Sequence, residues 1–349
     1  MKLRKTLLVA AAILLPAGLL AACGSDTSSD GASGDSSYTI GVSYPTANSP
    51  FWKAYTDFIQ EGGKQLGVEV NLVSADENEQ KQLSDVQNLI SQGVDGLIIT
   101  PQSTSIAPTL LRAANRADIP VVVTDRYPGY DPGANKDADY VAFLGPNDEQ
   151  AGRGIAEALA EAGGSKFLAL GGVPGNSVSE GRKKGLEDGL KDVGASLVQF
   201  QAAGDSEEKG LSATENLLQA HGAGEANAVW CFNDNLCQGA IKAAKNSNRS
   251  DGLVFGGMDL TPQAISALQD GSYTVSFGGH WLQGGFGLAI LFDKLEGRDP
   301  AEPVVKLDLL KVDSSNVEEF KAKFIDQTPE YDFTKLTGEG ASSYEITLD

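Results

Sequence analysis

The chain of 349 residues is short of the side chains that most enzymes and nucleic-acid-binding proteins need. Two histidines and three cysteines lack the spacing of a zinc site, so we expect no metal. There is no Gly-x-x-x-x-Gly-Lys phosphate loop, and no order of Ser, His and Asp that fits a nucleophile elbow. With 27 lysines and arginines against 47 aspartates and glutamates, the net charge of −20 argues against nucleic acid. These absences argue against an enzyme, and we expect no cofactor.

The N-terminus resembles that of an exported bacterial lipoprotein. Three basic residues among the first five precede an apolar segment at 7–15, which is too short to span a bilayer comfortably. The sequence Leu-Ala-Ala-Cys at 20–23 resembles a lipobox. It implies removal of a signal peptide at 1–22 and a lipid on Cys23, which would anchor the protein on the outer side of the membrane. The Ser/Gly/Asp-rich residues 23–37 would then be a flexible tether.

Two further cysteines, Cys231 and Cys237, leave two alternatives open. Because an exported chain meets an oxidising compartment, the pair could form a disulfide. They are six positions apart, between a predicted strand end and a helix start, and this geometry could forbid the bond. Two buried free thiols are the alternative.

Beyond residue 37, the sequence predicts a repeating order of strand, loop and helix. This order continues through a first part of the chain and starts again in a second part of similar size. Such alternation predicts parallel sheets with helices on both faces, hence two doubly wound α/β lobes. A Gly-rich run at 278–285 leads into an apolar helix and a predicted strand at 304–310. We assign these last two elements to the first lobe, so that several crossings form a multi-strand hinge. The predicted ranges are 38–144 plus 280–310 for the first lobe, 145–279 for the second, and 311–349 for a tail packed on the surface.

The stretch from Ile119 to Arg126 is a candidate for the centre of the binding site. A buried strand with three consecutive valines ends there in Asp125 and Arg126. In open α/β sheets, ligands bind just beyond the carboxyl ends of the strands. A carboxylate beside a guanidinium could hold a polar, uncharged molecule, and a surface ion pair is the alternative.

Four motifs follow one another along the chain: Asn48-Ser49-Pro50-Phe51-Trp52, Ile119 to Arg126, Asn233-Asp234 with Gly239-Ala240, and Gly257-Met258-Asp259-Leu260-Thr261-Pro262. In this order and spacing they resemble the periplasmic (type I) sugar-binding proteins, the ribose/galactose-binding group that delivers sugars to ABC importers. The resemblance extends over about residues 38–310.

The resemblance implies a set of ligand contacts from both lobes: Phe51, Trp52, Asp125, Arg126, Arg182, Asn233 and Asp259. In the family, two aromatic rings of the first motif sandwich the sugar, while the charged and amide groups bind its hydroxyls. These residue types suit a sugar, because flat rings cover its C–H faces and charged groups hydrogen-bond its rim. We add His280, because it follows Gly279, where the family has a Gln.

Three positions depart from the family pattern. Ser49 replaces an Asn, Ser206 stands where a second-lobe aromatic is expected, and Gly279 replaces the Gln. These changes remove one stacking face and an amide, which argues against plain ribose or galactose. Phe232 could supply the missing aromatic face, whereas Trp230 is expected in the core.

Each candidate also has a purely structural interpretation. Phe51 and Trp52 open a predicted helix and could belong to the core. Arg182 lies in a basic run typical of a solvated helix face. Asn233 could be a helix N-cap, and Asp259 could be a turn residue.

The predicted function is that of an extracytoplasmic, lipid-anchored binding protein. It would capture a sugar or sugar-like polyol between its lobes and deliver it to the permease subunits of an ABC importer, as a monomer. The alternative is a sensor of the same fold that signals to a chemoreceptor or a membrane kinase.

Overall fold

The computed structural model describes residues 38–327, 329–339, 341 and 343–348. The first part of the chain builds strands and helices in strict alternation up to a final strand. These are β1 (Tyr38–Tyr44), α1 (Pro50–Leu66), β2 (Val68–Ser74), α2 (Glu79–Ser91), β3 (Gly96–Ile99), α3 (Ala107–Asn115), β4 (Val121–Thr124) and β5 (Ala142–Pro146).

The second part repeats this alternation. Its elements are α4 (Asp148–Glu161), β6 (Lys166–Gly171), α5 (Ser177–Asp192), β7 (Ser196–Ala202), α6 (Glu207–Ala220), β8 (Ala228–Cys231), α7 (Asp234–Asn246), β9 (Val254–Asp259), α8 (Pro262–Gln269) and β10 (Val275–Gly278). A 3-10 turn at His280–Leu282 then leads into α9 (Gln283–Leu295), β11 (Val304–Leu307), β12 (Leu310–Val312), α10 (Val317–Phe324) and a 3-10 turn at Phe333–Lys335.

The strands form two sheets of six strands each, one in each lobe. The strand orders are β11-β5-β4-β3-β1-β2 and β12-β10-β9-β8-β6-β7. Every strand pair is parallel except β10 with β12. In the described residues the chain crosses between the two sheets three times, after β5, after β10 and after β11. The prediction of two doubly wound α/β lobes is therefore confirmed.

The predicted strand at 304–310 is wrong in one respect, because the structure has two strands there. β11 extends the first sheet beside β5, whereas β12 pairs with β10 at the edge of the second sheet. Only Asp308 and Leu309 separate them. A run rich in Val and Leu does not show which sheet each half joins, because the pairing partners are distant in sequence. The predicted tail therefore begins inside a strand of the second lobe.

Helix α9 returns to the first lobe, as predicted, and packs on α1, β3, β4 and β5. Trp230 lies in the core of the second lobe, where its Nε1 group donates to the Gly152 carbonyl oxygen at 3.1 Å. The sulfur atoms of Cys231 and Cys237 are bonded, so the structure selects the disulfide from the two alternatives.

Within the described ranges, none of the helices is long and apolar enough to cross a membrane. The same part of the chain has no group of three or more His, Cys, Asp or Glu side chains that could hold a metal ion.

Candidate ligand-binding site

All eight predicted contacts line one cavity between the two lobes. Phe51, Trp52, Asp125 and Arg126 come from the first lobe, Arg182, Asn233 and Asp259 from the second, and His280 from the crossing after β10. The cavity has a volume of about 90 Å³. Because about 10–15 Å³ of this kind of space holds one water molecule, it offers room for roughly six to nine waters. A compact molecule the size of one monosaccharide fits this space.

The aromatic wall of the cavity is built by the first turn of α1. Pro50 begins this helix, which places Phe51 and Trp52 at its end nearest the cleft. Their rings meet edge to face at a centroid distance of 4.9 Å and an angle of 89°. No sugar ring fits between them, so the expected sandwich by these two residues is wrong. They are adjacent along the helix and form a single wall, while Phe232 lines the cavity from the second lobe.

Asp125 lies directly after β4 in a strained backbone conformation. Its φ is +63°, and the Arg126 amide donates to the Thr124 carbonyl oxygen at 2.7 Å, which closes a γ-turn around Asp125. The carboxylate is almost fully buried and accepts a hydrogen bond from Gln283 Nε2 at 2.8 Å. Strained residues persist where the surrounding structure holds them, and they are common in ligand sites.

Arg126 is held from behind by the loop that follows β3. Its Nη1 group donates to the carbonyl oxygens of Pro101 at 3.3 Å and Gln102 at 2.9 Å, and to the Gln102 side chain at 3.2 Å. Burial lowers the pKa of Arg126, and the Asp125 carboxylate opposes this effect. The Arg126 Nε atom lies 3.9 Å from Asp125 Oδ2. The Asp125 side chain is buried and that of Arg126 is only 13% exposed, so this is not a surface ion pair.

Arg182 is buried on α5, so the solvated helix face proposed as its alternative is wrong. Its Nε group donates to Asp148 Oδ1 at 2.9 Å, and its Nη1 group donates to the Phe232 carbonyl oxygen at 2.9 Å. The guanidinium carbon also lies 4.5 Å from the centre of the Phe232 ring. This fixed plane supplies a cation to the second-lobe side of the cavity.

Three helices of the second lobe begin at the cavity. Their N-cap residues line the cavity: Asn176 for α5, Ser206 for α6 and Asn233 for α7. Each N-cap side-chain oxygen accepts a hydrogen bond from a backbone amide of its helix: from Ser179 at 2.7 Å, from Lys209 at 3.4 Å and from Leu236 at 2.9 Å, respectively. Asn233 is therefore both an N-cap and a lining residue. Helix N-termini carry partial positive charge and favour electron-rich oxygens nearby.

Asp259 and His280 form the floor between the lobes. Asp259 has a φ of +122°, and its Oδ1 atom lies 3.7 Å from His280 Nε2. Burial raises the pKa of Asp259 well above its ordinary value, which Arg182 partly opposes. Burial, helped by Arg182, holds the pKa of His280 well below 6.5, so its imidazole is neutral. His280 Nδ1 has no hydrogen-bond partner in the described part of the protein.

Several polar residues of the site escaped the sequence interpretation. The additional polar lining residues are Thr46, Asn48, Ser49, Glu77, Asn176, Asp205, Ser206 and Asn235. Gln283 was missed as well, although it is fully buried and donates a hydrogen bond to Asp125. Its signal in the sequence is a single amide at the start of α9, a helix that is otherwise apolar up to Asp293.

The buried carboxylates predict that the ligand-free protein becomes more stable as the pH falls from about 7 toward 5. Burial raises the pKa of both Asp148 and Asp234 to about 7 from an ordinary value of 3.8. The folded state thus binds more protons than the unfolded state in this interval. The stability contributed by these protonated carboxyl groups is lost as the pH rises through 7. His280 acts in the opposite direction below 6.5, but Asp259 acts with the other two carboxylates.

Melting temperatures between pH 5 and 7.5 test this prediction. Asp148→Asn should flatten the rise, because it removes one of the titrating groups. A melting temperature that falls steadily on acidification from pH 7.5 would contradict it.

The fold and the polar cleft define a two-lobed ligand-binding protein, and the comparison with known proteins agrees. The chain belongs to the family of periplasmic sugar-binding proteins, because residues 40–299 match the family model described as periplasmic binding protein domain. It is 35% identical over 238 residues to the ribose import binding protein RbsB of Bacillus subtilis, covering 67% of this chain and 73% of that protein.

Two further similarities extend this result. The galactofuranose-binding protein YtfQ of Escherichia coli is 25% identical, over 68% of this chain and 76% of its own length. A solute-binding protein of an ABC transporter from Bacillus halodurans, solved with bound myo-inositol, superposes with a TM-score of 0.74 and 25% identity, over 84% of this chain and all of that one. Such relatives are sugar-binding transport proteins and not enzymes, which confirms the family and the binding function predicted from the motifs.

Proposed function

We propose that the protein captures one sugar or sugar-like polyol of monosaccharide size between its lobes and delivers it to an ABC importer. The observation that carries this proposal is the lining of the cavity: 14 of the 18 residues are polar, drawn from both lobes, and the others include three aromatic rings. Such a surface suits a molecule with hydroxyls around an apolar ring. The cavity volume of about 90 Å³ favours a ligand of monosaccharide size.

Binding would couple to closure of the lobes. Asp125 and Arg126 belong to one lobe, Arg182 and Asp259 to the other. A ligand that contacts both sets stabilises the arrangement in which they face each other, and permease subunits could recognise that arrangement. We therefore expect disruption of the gene to reduce uptake of the ligand.

The protein should also act as a monomer. Purified protein is then expected to run as a monomer in size-exclusion chromatography.

The ligand class can be tested by thermal shift with D-ribose, D-xylose, D-galactose, myo-inositol and glycerol. A ligand at 100 times its Kd stabilises the folded state by about 2.7 kcal/mol, so at least one compound should raise the melting temperature by roughly 5 °C. Free amino acids serve as controls and should have no effect. If none of the polyhydroxylated compounds stabilises the protein, the proposal is wrong.

We also propose that a lipid on Cys23 anchors the protein outside the cell membrane; this residue lies outside the described ranges. The lipobox-like sequence and the family support it. Cys23→Ser should move the protein from the membrane fraction to the soluble fraction of the cell envelope or medium. Retention of the variant in the membrane fraction would argue against the anchor.

A further inference from the structure

The C-terminal segment, residues 310–348, lies beyond the part of the chain that matches the family model. It begins as β12 at the edge of the second sheet, and Glu318 on α10 accepts a hydrogen bond from Gln269 of α8 at 2.7 Å. Further on, Phe333 is fully buried against Phe58 of α1, with a centroid distance of 5.1 Å. The segment thus contacts both lobes and passes over the crossing after β10.

Ile346 of this segment packs directly on Gly279 of the crossing. Gly279 has a φ of +95°, and a Cβ atom added there would lie 2.5 Å from Ile346 Cγ2. A side chain at this position therefore has no room in the direction that the backbone gives it. The glycine that replaces the Gln of the family pattern is explained by the presence of Ile346.

Trp281, the second residue after Gly279, is held by two aromatic rings of α10. The Trp281 ring meets Phe320 and Phe324 edge to face, each at a centroid distance of 6.1 Å. The two phenylalanines are stacked on each other at 5.0 Å. Edge-to-face contacts of this kind restrict ring orientation as well as position.

His280 stands between these two contacts and faces the opposite way, into the ligand cavity. Its ring lies 4.5 Å from the Phe51 ring, and its Nε2 atom lies 3.7 Å from Asp259 Oδ1. Its Nδ1 atom is buried and without a partner in the described part of the protein. The 3-10 turn at His280–Leu282 is only three residues long. It contacts α1 and runs directly into α9 on one side, and the groups packed on Gly279 and Trp281 support it on the other.

We propose that the C-terminal segment positions His280 in the ligand cavity, and that Ile346 and Phe324 are positioning residues although neither lines it. His280 faces the ligand cavity, and the C-terminal segment packed on Gly279 and Trp281 holds it in place. The effect on ligand affinity rests on the proposed function, whereas the effect on His280 does not.

The experiment is NMR of the imidazole groups in ligand-free, ¹⁵N-labelled full-length protein. The chain has two histidines, His221 and His280, so His221→Gln assigns both sets of signals. Ile346→Ala and Phe324→Leu should shift the His280 ring signals. Phe333→Leu is the matched control, because it alters a buried phenylalanine of the same segment that packs on α1. It should leave those signals in place.

Ligand affinity is the second readout, measured by calorimetry with D-ribose and myo-inositol at a temperature where all variants are folded. Ile346→Ala and Phe324→Leu should weaken binding at least about fivefold, and Phe333→Leu less than about twofold. His280 signals that stay unchanged in both test variants, or that move equally in the control, overturn the inference. If neither compound, nor any other polyol, binds the unaltered protein, the proposed function fails and the NMR result alone decides this inference.

Discussion

Asp125→Asn is expected to weaken ligand binding by roughly 10- to 150-fold without unfolding the protein. Hydrogen bonds to a charged group contribute about 1.5–3 kcal/mol each, and the Asp125 carboxylate lines the cavity at the end of β4. Asparagine tolerates the left-handed backbone that Asp125 adopts, so the γ-turn should survive. Calorimetric titration with the polyol found by thermal shift gives the change in Kd.

Asp118→Asn is the matched control for this experiment. Asp118 also has a positive φ, of +54°, but it is exposed on the loop after α3, away from the cavity. Its substitution should leave both affinity and melting temperature unchanged. Equal affinity of Asp125→Asn and the unaltered protein would remove Asp125 from the proposed site.

Arg182→Met should lower the free energy of unfolding by about 3–5 kcal/mol, the usual cost of breaking a buried ion pair. The substitution leaves the Asp148 carboxylate, whose side chain is only 14% exposed, without its cation and the Phe232 carbonyl oxygen without its donor. Arg182 also lowers the pKa of Asp148, so the variant should lose further stability as the pH rises toward 8. Denaturant titrations at pH 6 and pH 8 measure both effects.

The double variant Asp148→Asn/Arg182→Met should regain at least half of the lost stability, because it removes the uncompensated charge. Arg153→Met is the control, since Arg153 and Asp192 form an exposed pair, and exposed pairs contribute less than about 1 kcal/mol. If Arg182→Met lowers the free energy of unfolding no more than Arg153→Met does, the ion pair of Arg182 with Asp148 contributes no more than an exposed pair.

The main features of the fold follow from local pattern. The three valines of β4 and the polar residues right after it predicted both a buried strand and the position of Asp125 at its end. The family resemblance implied that Arg182, Asn233 and Asp259 would come from the other lobe, and all three line the cavity. The strands could be predicted because periodicity and strand ends are local properties that place side chains at one edge of a sheet.

The features that escaped prediction depend on contacts between distant segments. Gln283 is 158 positions from Asp125, its hydrogen-bond partner. The split between β11 and β12 depends on two sheets that the local sequence cannot distinguish. The Phe51 ring meets Trp52 edge to face and also contacts the ring of His280, which belongs to a distant segment. Each of these requires the tertiary arrangement before the role of the residue becomes visible.

The return of α9 and β11 to the first lobe has a consequence for the order in which the chain can fold. The first lobe needs residues up to 146 together with 283–307, and the second lobe lies between them. Until α9 is available, the face of β3 and β4 that it covers stays open. The lobe that starts first therefore cannot complete its core until β6 to β10 of the second lobe have been made, and during synthesis or translocation it depends on a segment that emerges after most of its neighbour.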